Sequence, residues 1–338
     1  MSQSANASLP GWRVALGRPR AVLLEIAWRW VFGLLALAIL SIAAERLLAA
    51  VAITPGDIAG LRSHDSILMV GAMLHIWEHA GSAILATAWT VGIALSLLWL
   101  GLAAAGRAVT LRALLLHPYA HNPVLTADGI EAVHGAVTRP NHAGVLATTF
   151  LRVVLTWLAV FLFLALIGGS AYAAAAAGAS PEAPNLALYF LLLAIGLPLL
   201  LFGWGVANWY LSLAPVYCVA EGAPAHAAIR LALDAVRMRR AAFFGASAVY
   251  GFLRLAGFIL LVVAAAIAAA AVPSVIAATV IVALLSLAYF AVADFLYIAR
   301  LAAYLILLLQ PRAAIAPACA TPAMEPTGAG FSPELGGN

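Results

Sequence analysis

Six apolar runs, each close to span length and each bounded by charge, proline or glycine, dominate this chain. They are Ile26–Ala44, Ser82–Ala105, Val145–Gly168, Leu186–Val206, Gly251–Val272 and Ser274–Asp294. A hydrocarbon core about 30 Å thick takes about 20 residues of α-helix to cross, and a helix satisfies its own backbone where no water can reach it. The runs therefore predict an all-α, polytopic transmembrane helix bundle of six spans. Only 9% of the 338 residues are charged, against about a quarter in ordinary soluble domains. Seventeen basic and 13 acidic residues cannot cover a body of this size with a water-compatible surface, so a soluble globular enzyme is excluded. The first run extends from Ala21 to Ile53, far beyond the roughly 7–15 apolar residues of a cleavable signal peptide, and is expected to remain as a span.

All 17 basic residues are arginine, and their distribution predicts orientation. With six spans, 15 arginines fall on one side and only Arg46 and Arg62 on the other, where Glu45, Asp57, Asp65, Glu78 and Glu182 also lie. Positive loops stay on the cytoplasmic side, so both termini are expected there, in a bacterial cytoplasmic (inner) membrane. The domains read as a cytoplasmic N-terminal segment 1–20, a single transmembrane helical domain 21–310 and a disordered cytoplasmic tail 311–338. That tail is rich in Pro, Gly and Ala with no periodicity. The run Phe295–Leu309, with Arg300 in its middle, is short for a seventh crossing and reads as a helical extension at the interface. Pro198 and Pro215 predict a kink or an interfacial turn in the fourth run.

Pro224–Arg240 is amphipathic. His226, Arg230, Asp234 and Arg237 recur at three or four residues, with Ile229, Leu233 and Val236 on another stripe. The pattern fits an interfacial helix on the cytoplasmic surface and equally a helix packed beneath the bundle. In either case Arg230, Arg237, Arg239 and Arg240 are expected to meet anionic headgroups. Around this helix the chain runs Pro215, Glu221-Gly222, Ala228 through Arg240, then Phe243-Phe244. Over residues 214–245 this order resembles bacterial integral membrane proteins of the glycerophosphodiester phosphodiesterase membrane-domain type. Leu231-Ala232-Leu233 stands where those proteins usually carry a Ser-Trp pair. The resemblance implies a polytopic bundle and no catalysis, because the phosphodiesterase activity there belongs to a separate soluble barrel of about 250 residues. No soluble stretch of this chain approaches that length.

Three groups of residues stand out for their chemistry. His75-Ile76-Trp77-Glu78-His79 matches H-x-x-E-H, in which both imidazoles and the carboxylate share one helix face. His75, Glu78 and His79 are thus candidate zinc ligands on the outer side, with Asp57, Asp65, His64 or Glu182 to complete the set. The same letters describe a polar helix face at the membrane boundary. His117, His121, His134 and His142 form a second group, but Pro118, Pro123 and Pro140 break any helical alignment among them. Ionisable residues at membrane depth are the third group, because each costs roughly 2.5–3.5 kcal/mol at a helix centre. Counted from Pro273, Arg254 and Asp294 reach similar depths and are expected to pair between the last two spans, with Arg152 near by. Glu25 and Arg29, four apart, read as a helix-surface pair worth a few tenths of a kcal/mol.

Cys218 and Cys319 read as free thiols, and the scattered arginines give no nucleic-acid surface. Membrane lipids are the expected partners; a protein partner or a second copy of the chain is compatible with the many small residues. No cofactor is expected unless zinc binds. The favoured reading is a non-enzymatic envelope scaffold or accessory subunit. The alternatives are a transporter or channel using Asp294 and Arg254, and an outer-face zinc metalloenzyme.

Overall fold

The computed structural model describes residues 11–51, 53–63, 65–115, 141–178 and 185–309. Among these residues there is no strand. The helices are α1 (Pro19–Ala50), α2 (Pro55–Arg62), α3 (Ser66–Leu115), α4 (His142–Ala176), α5 (Leu186–Ala220), α6 (Ala225–Met238), α7 (Arg240–Ala271) and α8 (Val275–Leu309). A helical turn over 11–16 precedes α1. Six of them, α1, α3, α4, α5, α7 and α8, are long and apolar enough to cross a membrane. The most apolar 18-residue stretch of each contains no buried residue, as expected of surfaces that face lipid. The chain is an all-α, polytopic integral membrane protein.

The six spans pair as three consecutive hairpins, α1 with α3, α4 with α5, and α7 with α8, and α3 against α4 and α1 against α8 join them. Small residues set the close approaches. A Cβ on Gly106 would lie 2.5 Å from the Trp28 ring, so this glycine lets α1 and α3 meet through an indole. Between α3 and α4, Trp157 covers Gly92 and donates from Nε1 to Ser96 Oγ at 2.9 Å. Tyr289 of α8 lies over Gly257 of α7. At the end of α5, Gly222 takes the left-handed conformation (φ 64°), and the Ala223 N–H then turns back to Tyr217 O. Glycine adopts that φ without steric cost, which is why it so often ends a helix.

The packed interior lies at one end of the bundle. That end carries the starts of α1, α4 and α7, the ends of α3, α5 and α8, and α6; most of the arginines are there, and we call it the arginine-rich end. Its core joins Leu111 and Leu114, Leu213 to Ala220, Ala228, Ala232 and Val236, Phe243, and Ile298 to Leu305. Two arginines close helix ends where carbonyls lack intrahelical partners. Arg18 donates to Leu114 O at the end of α3, and Arg239 donates to Leu307 O at 2.7 Å near the end of α8.

Three features left open by the sequence take definite form here. Residues 295–307 continue α8 without a break, the helical extension expected at the interface, and from Leu296 to Leu307 most are buried, so the segment is also a central post of the core. Helix α6 packs against α5 and α4, burying Ala228, Ala232 and Val236. The face that docks is therefore the small-residue stripe. Pro198 and Pro215 both lie inside the single helix α5, so of the two expected forms the interfacial turn is not adopted. The tail 311–338, Cys319, His117, His121 and His134 lie outside the described residues.

Candidate functional site

The expected pairing of Asp294 with Arg254 is not formed. Asp294 instead accepts from Arg29 of α1, with Nη1 to Oδ1 at 2.7 Å. Arg254 lies within electrostatic range of Asp294 but makes no ion pair with it, and its side chain is exposed on α7. An arginine there can carry its aliphatic stem along lipid and lift its head to the phosphates. Glu25 and Arg29 are likewise no surface pair. Glu25 is 1% exposed, and its Oε1 takes Arg29 Nε at 2.8 Å and Nη2 at 2.6 Å. Its other oxygen accepts from Trp28 Nε1 at 2.8 Å and from Thr110 Oγ1 of α3 at 3.0 Å. One carboxylate thus ties α1 to α3, and one guanidinium ties α1 to α8.

Around this pair four guanidinium groups from four spans converge on Tyr297 of α8. Arg29 sits 4.2 Å from the centroid of its ring, Arg300 at 5.3 Å and Arg107 of α3 at 5.7 Å. Arg152 of α4 donates from Nε to Asn208 Oδ1 of α5 at 2.8 Å and faces the positive charges of Arg107, Arg29 and Arg300. Against these four cations stand two carboxylates, Glu25 and Asp294, and both are committed to Arg29. Among the described residues, Arg107, Arg152 and Arg300 have no ion-pair partner. Arg107 is 5% exposed, and its Nε and Nη1 have no hydrogen-bond acceptor.

Helical rise fixes the depth of the site. Asp294 lies 19 residues and Arg300 25 residues beyond the start of α8, which at 1.5 Å per residue is about 29 and 38 Å. The hydrocarbon core is about 30 Å thick and headgroups extend the bilayer to about 40–45 Å. The cluster therefore occupies the boundary layer on the arginine-rich side.

The outer histidine motif is held differently. His75, Glu78 and His79 all lie on α3, exposed, with the two imidazole centroids 4.4 Å apart. His75 Nδ1 meets Asp57 Oδ1 of α2 at 2.9 Å, and His79 Nδ1 donates to His75 O at 2.8 Å. Asp57 closes a capping box with Thr54 at the start of α2. Its bonds from the Thr54 hydroxyl and backbone N–H, opposed by burial and helped by the nearby His75, hold its carboxyl below the ordinary carboxylate value. Among the described residues no three His, Cys, Asp or Glu side chains are grouped to hold a metal ion. His64 and Glu182, two of the suggested additional ligands, lie outside them. Of the four arginines expected at headgroups, Arg230, Arg237 and Arg240 are exposed, whereas Arg239 is turned inward onto Leu307 O.

The arginine cluster escaped the sequence reading because its members come from α1, α3, α4 and α8, between 45 and 148 residues apart from one neighbour to the next. The one available signal is that Arg29, Arg107, Arg152 and Arg300 each stand two to seven residues from an end of one of the six span-length runs. Comparison of the chain with protein-family models, with curated proteins and with solved structures finds no match.

Proposed function

We propose that this integral membrane protein is a non-enzymatic scaffold or accessory subunit of a bacterial cytoplasmic membrane, with its arginine-rich end on the cytoplasmic side as the working face. The observation that carries the reading is the placement of buried charge. Glu25, Arg107 and Asp294 are at the arginine-rich end and Asp57 caps α2 at the opposite end, while the most apolar stretches of the six spans contain no buried residue. A transport route needs polar groups, broken helices or a water-filled path at mid-membrane depth. A platform needs what is present here, a rigid packed end at the headgroup layer. The exposed Arg230, Arg237 and Arg240 on and beside α6 add attraction to anionic headgroups, worth about 1 kcal/mol each near a charged leaflet.

Two measurements test this. In a chain carrying Cys218→Ala and Cys319→Ala, a membrane-impermeant thiol reagent applied to intact cells should label Arg62→Cys and spare Arg230→Cys. Reversed labelling would overturn the orientation. In proteoliposomes the protein should pass ions and protons no faster than empty vesicles do. A flux that Asp294→Asn abolishes would replace the scaffold by a transporter.

A further inference from the structure

We infer that the cluster of Arg107, Arg152 and Arg300 binds a phosphoryl anion at the membrane boundary, an activity that goes beyond the scaffold reading and does not depend on it. Removing one partner from a buried ion pair is strongly destabilising because it strands a charge. Here three guanidiniums stand without carboxylates, and one of them, Arg107, is almost wholly buried with two nitrogens lacking acceptors. Counting formal charge, Arg29, Arg107, Arg152 and Arg300 against Glu25 and Asp294 leave a surplus of two positive charges. A phosphomonoester dianion cancels it, and a phosphodiester cancels half.

The surrounding groups suit such a ligand. Arg29 is consumed by Glu25 and Asp294, so it buttresses the site without competing for the anion. Asn208 orients Arg152 through Nε and leaves its other nitrogens for a ligand. The Tyr297 ring lies within cation–π distance of both Arg107 and Arg300, an attraction that offsets part of the repulsion between the guanidiniums. One turn deeper than Asn208 on α5, Trp204 has a buried Nε1 without an acceptor, a neutral donor to spare. Guanidinium groups recognise phosphoryl oxygens through charge-assisted bonds of about 2.7–2.9 Å. The depth of the cluster, at the headgroup layer, allows two sources of the same chemistry, a phospholipid headgroup or free phosphate.

The test uses the full-length protein in a mild non-ionic detergent. Native mass spectrometry would follow reconstitution in phosphatidylcholine nanodiscs containing phosphatidic acid or phosphatidylglycerol, and thermal melting would be recorded with inorganic phosphate or chloride at equal ionic strength. If the headgroup is the source, wild type retains about one phosphatidic acid per chain, in preference to phosphatidylcholine. If free phosphate is the source, phosphate raises the melting temperature saturably where chloride does not, with no retained lipid. In either case Arg107→Gln weakens binding by about tenfold or more, the loss expected of one or two charge-assisted bonds. Arg107→Lys weakens it less. Should Arg107→Gln fail to give a monodisperse protein, Arg300→Gln, at the partly exposed side of the cluster, is read in its place. Equal binding by wild type and variant, or no effect of any phosphoryl compound, overturns the site. So does the finding that Asp128→Asn with Glu131→Gln destabilises the protein as much as Arg107→Gln, because the missing anion would then be the chain's own.

Discussion

Glu25 is the side chain the fold should tolerate losing least. Its two oxygens take four donors from three residues, and two of those donors belong to an arginine that also holds Asp294. Glu25→Ala should therefore lower stability by on the order of 3–5 kcal/mol, the usual cost of leaving a buried charge without its partner. Arg254→Gln, by contrast, should stay within about 0.5 kcal/mol, as exposed positions without specific partners do. Melting both variants in the same detergent checks the contrast, and the opposite ranking would restore Arg254 as the partner of Asp294. Asp57 carries a prediction of pH dependence. Its folded carboxyl is held below its ordinary value, so it contributes stability above the unfolded value near 3.9, and that contribution is lost as pH falls through the folded value. Amide exchange across residues 55–62 should accelerate relative to the rest of the chain on going from pH 6 to pH 3, after correction for intrinsic rates. Thr54→Ala should reproduce the acceleration at pH 6.

Among the elements, the α1–α3 contact is the most constrained. Gly106 sits under Trp28, whose Nε1 reaches Glu25, so the packing of the helices and the order of the charge network are one arrangement. Gly106→Ala should cost about 1–3 kcal/mol by overpacking. Adding Trp28→Ala should recover part of that loss, a positive coupling that a double-mutant cycle would measure. If the two substitutions are additive, the glycine is not there for the indole. Helix α6 illustrates the limit of reading a face from hydropathy. Its stripe of Ile229, Leu233 and Val236 is the more apolar by composition, yet the buried face is Ala228, Ala232 and Val236, with Ile229 packed only partly beside it. Small side chains let α6 approach α5 closely, so size decided what apolarity alone could not.

At the scale of the molecule, packing is uneven, and stability should follow it. The core gathers at the arginine-rich end, where α8 from Leu296 to Leu307 packs against α7, α1 and the N-terminal turn and is bonded through Tyr304 to Trp209 of α5. The opposite end of α3, around Ile67 to Leu74, is exposed except for Ala72, which packs on Gly60 of α2. In detergent, amides of 298–305 should exchange slowest and those of 67–74 fastest among the helical residues. Uniform protection would mean that a partner or second copy covers the exposed faces.

The number of spans, their positions and the all-helical class were legible in the sequence because hydrocarbon admits one local solution for an apolar segment of that length, and length and polarity are local properties. Phe295–Leu309 reads as helix for the same reason, while its enclosure by neighbouring helices is a tertiary fact. Which charges meet was decided by tertiary structure alone. Asp294 met Arg29 and not Arg254, because the former side chain enters the bundle from α1 while the latter lies on the lipid side of α7. Equal depth brings two residues to one layer of the membrane, but only the rotation of each helix about its own axis selects the partner. In helices apolar on all sides, nothing in the sequence pattern records that rotation, and it is set by contacts such as Trp28 on Gly106 and Arg239 on Leu307.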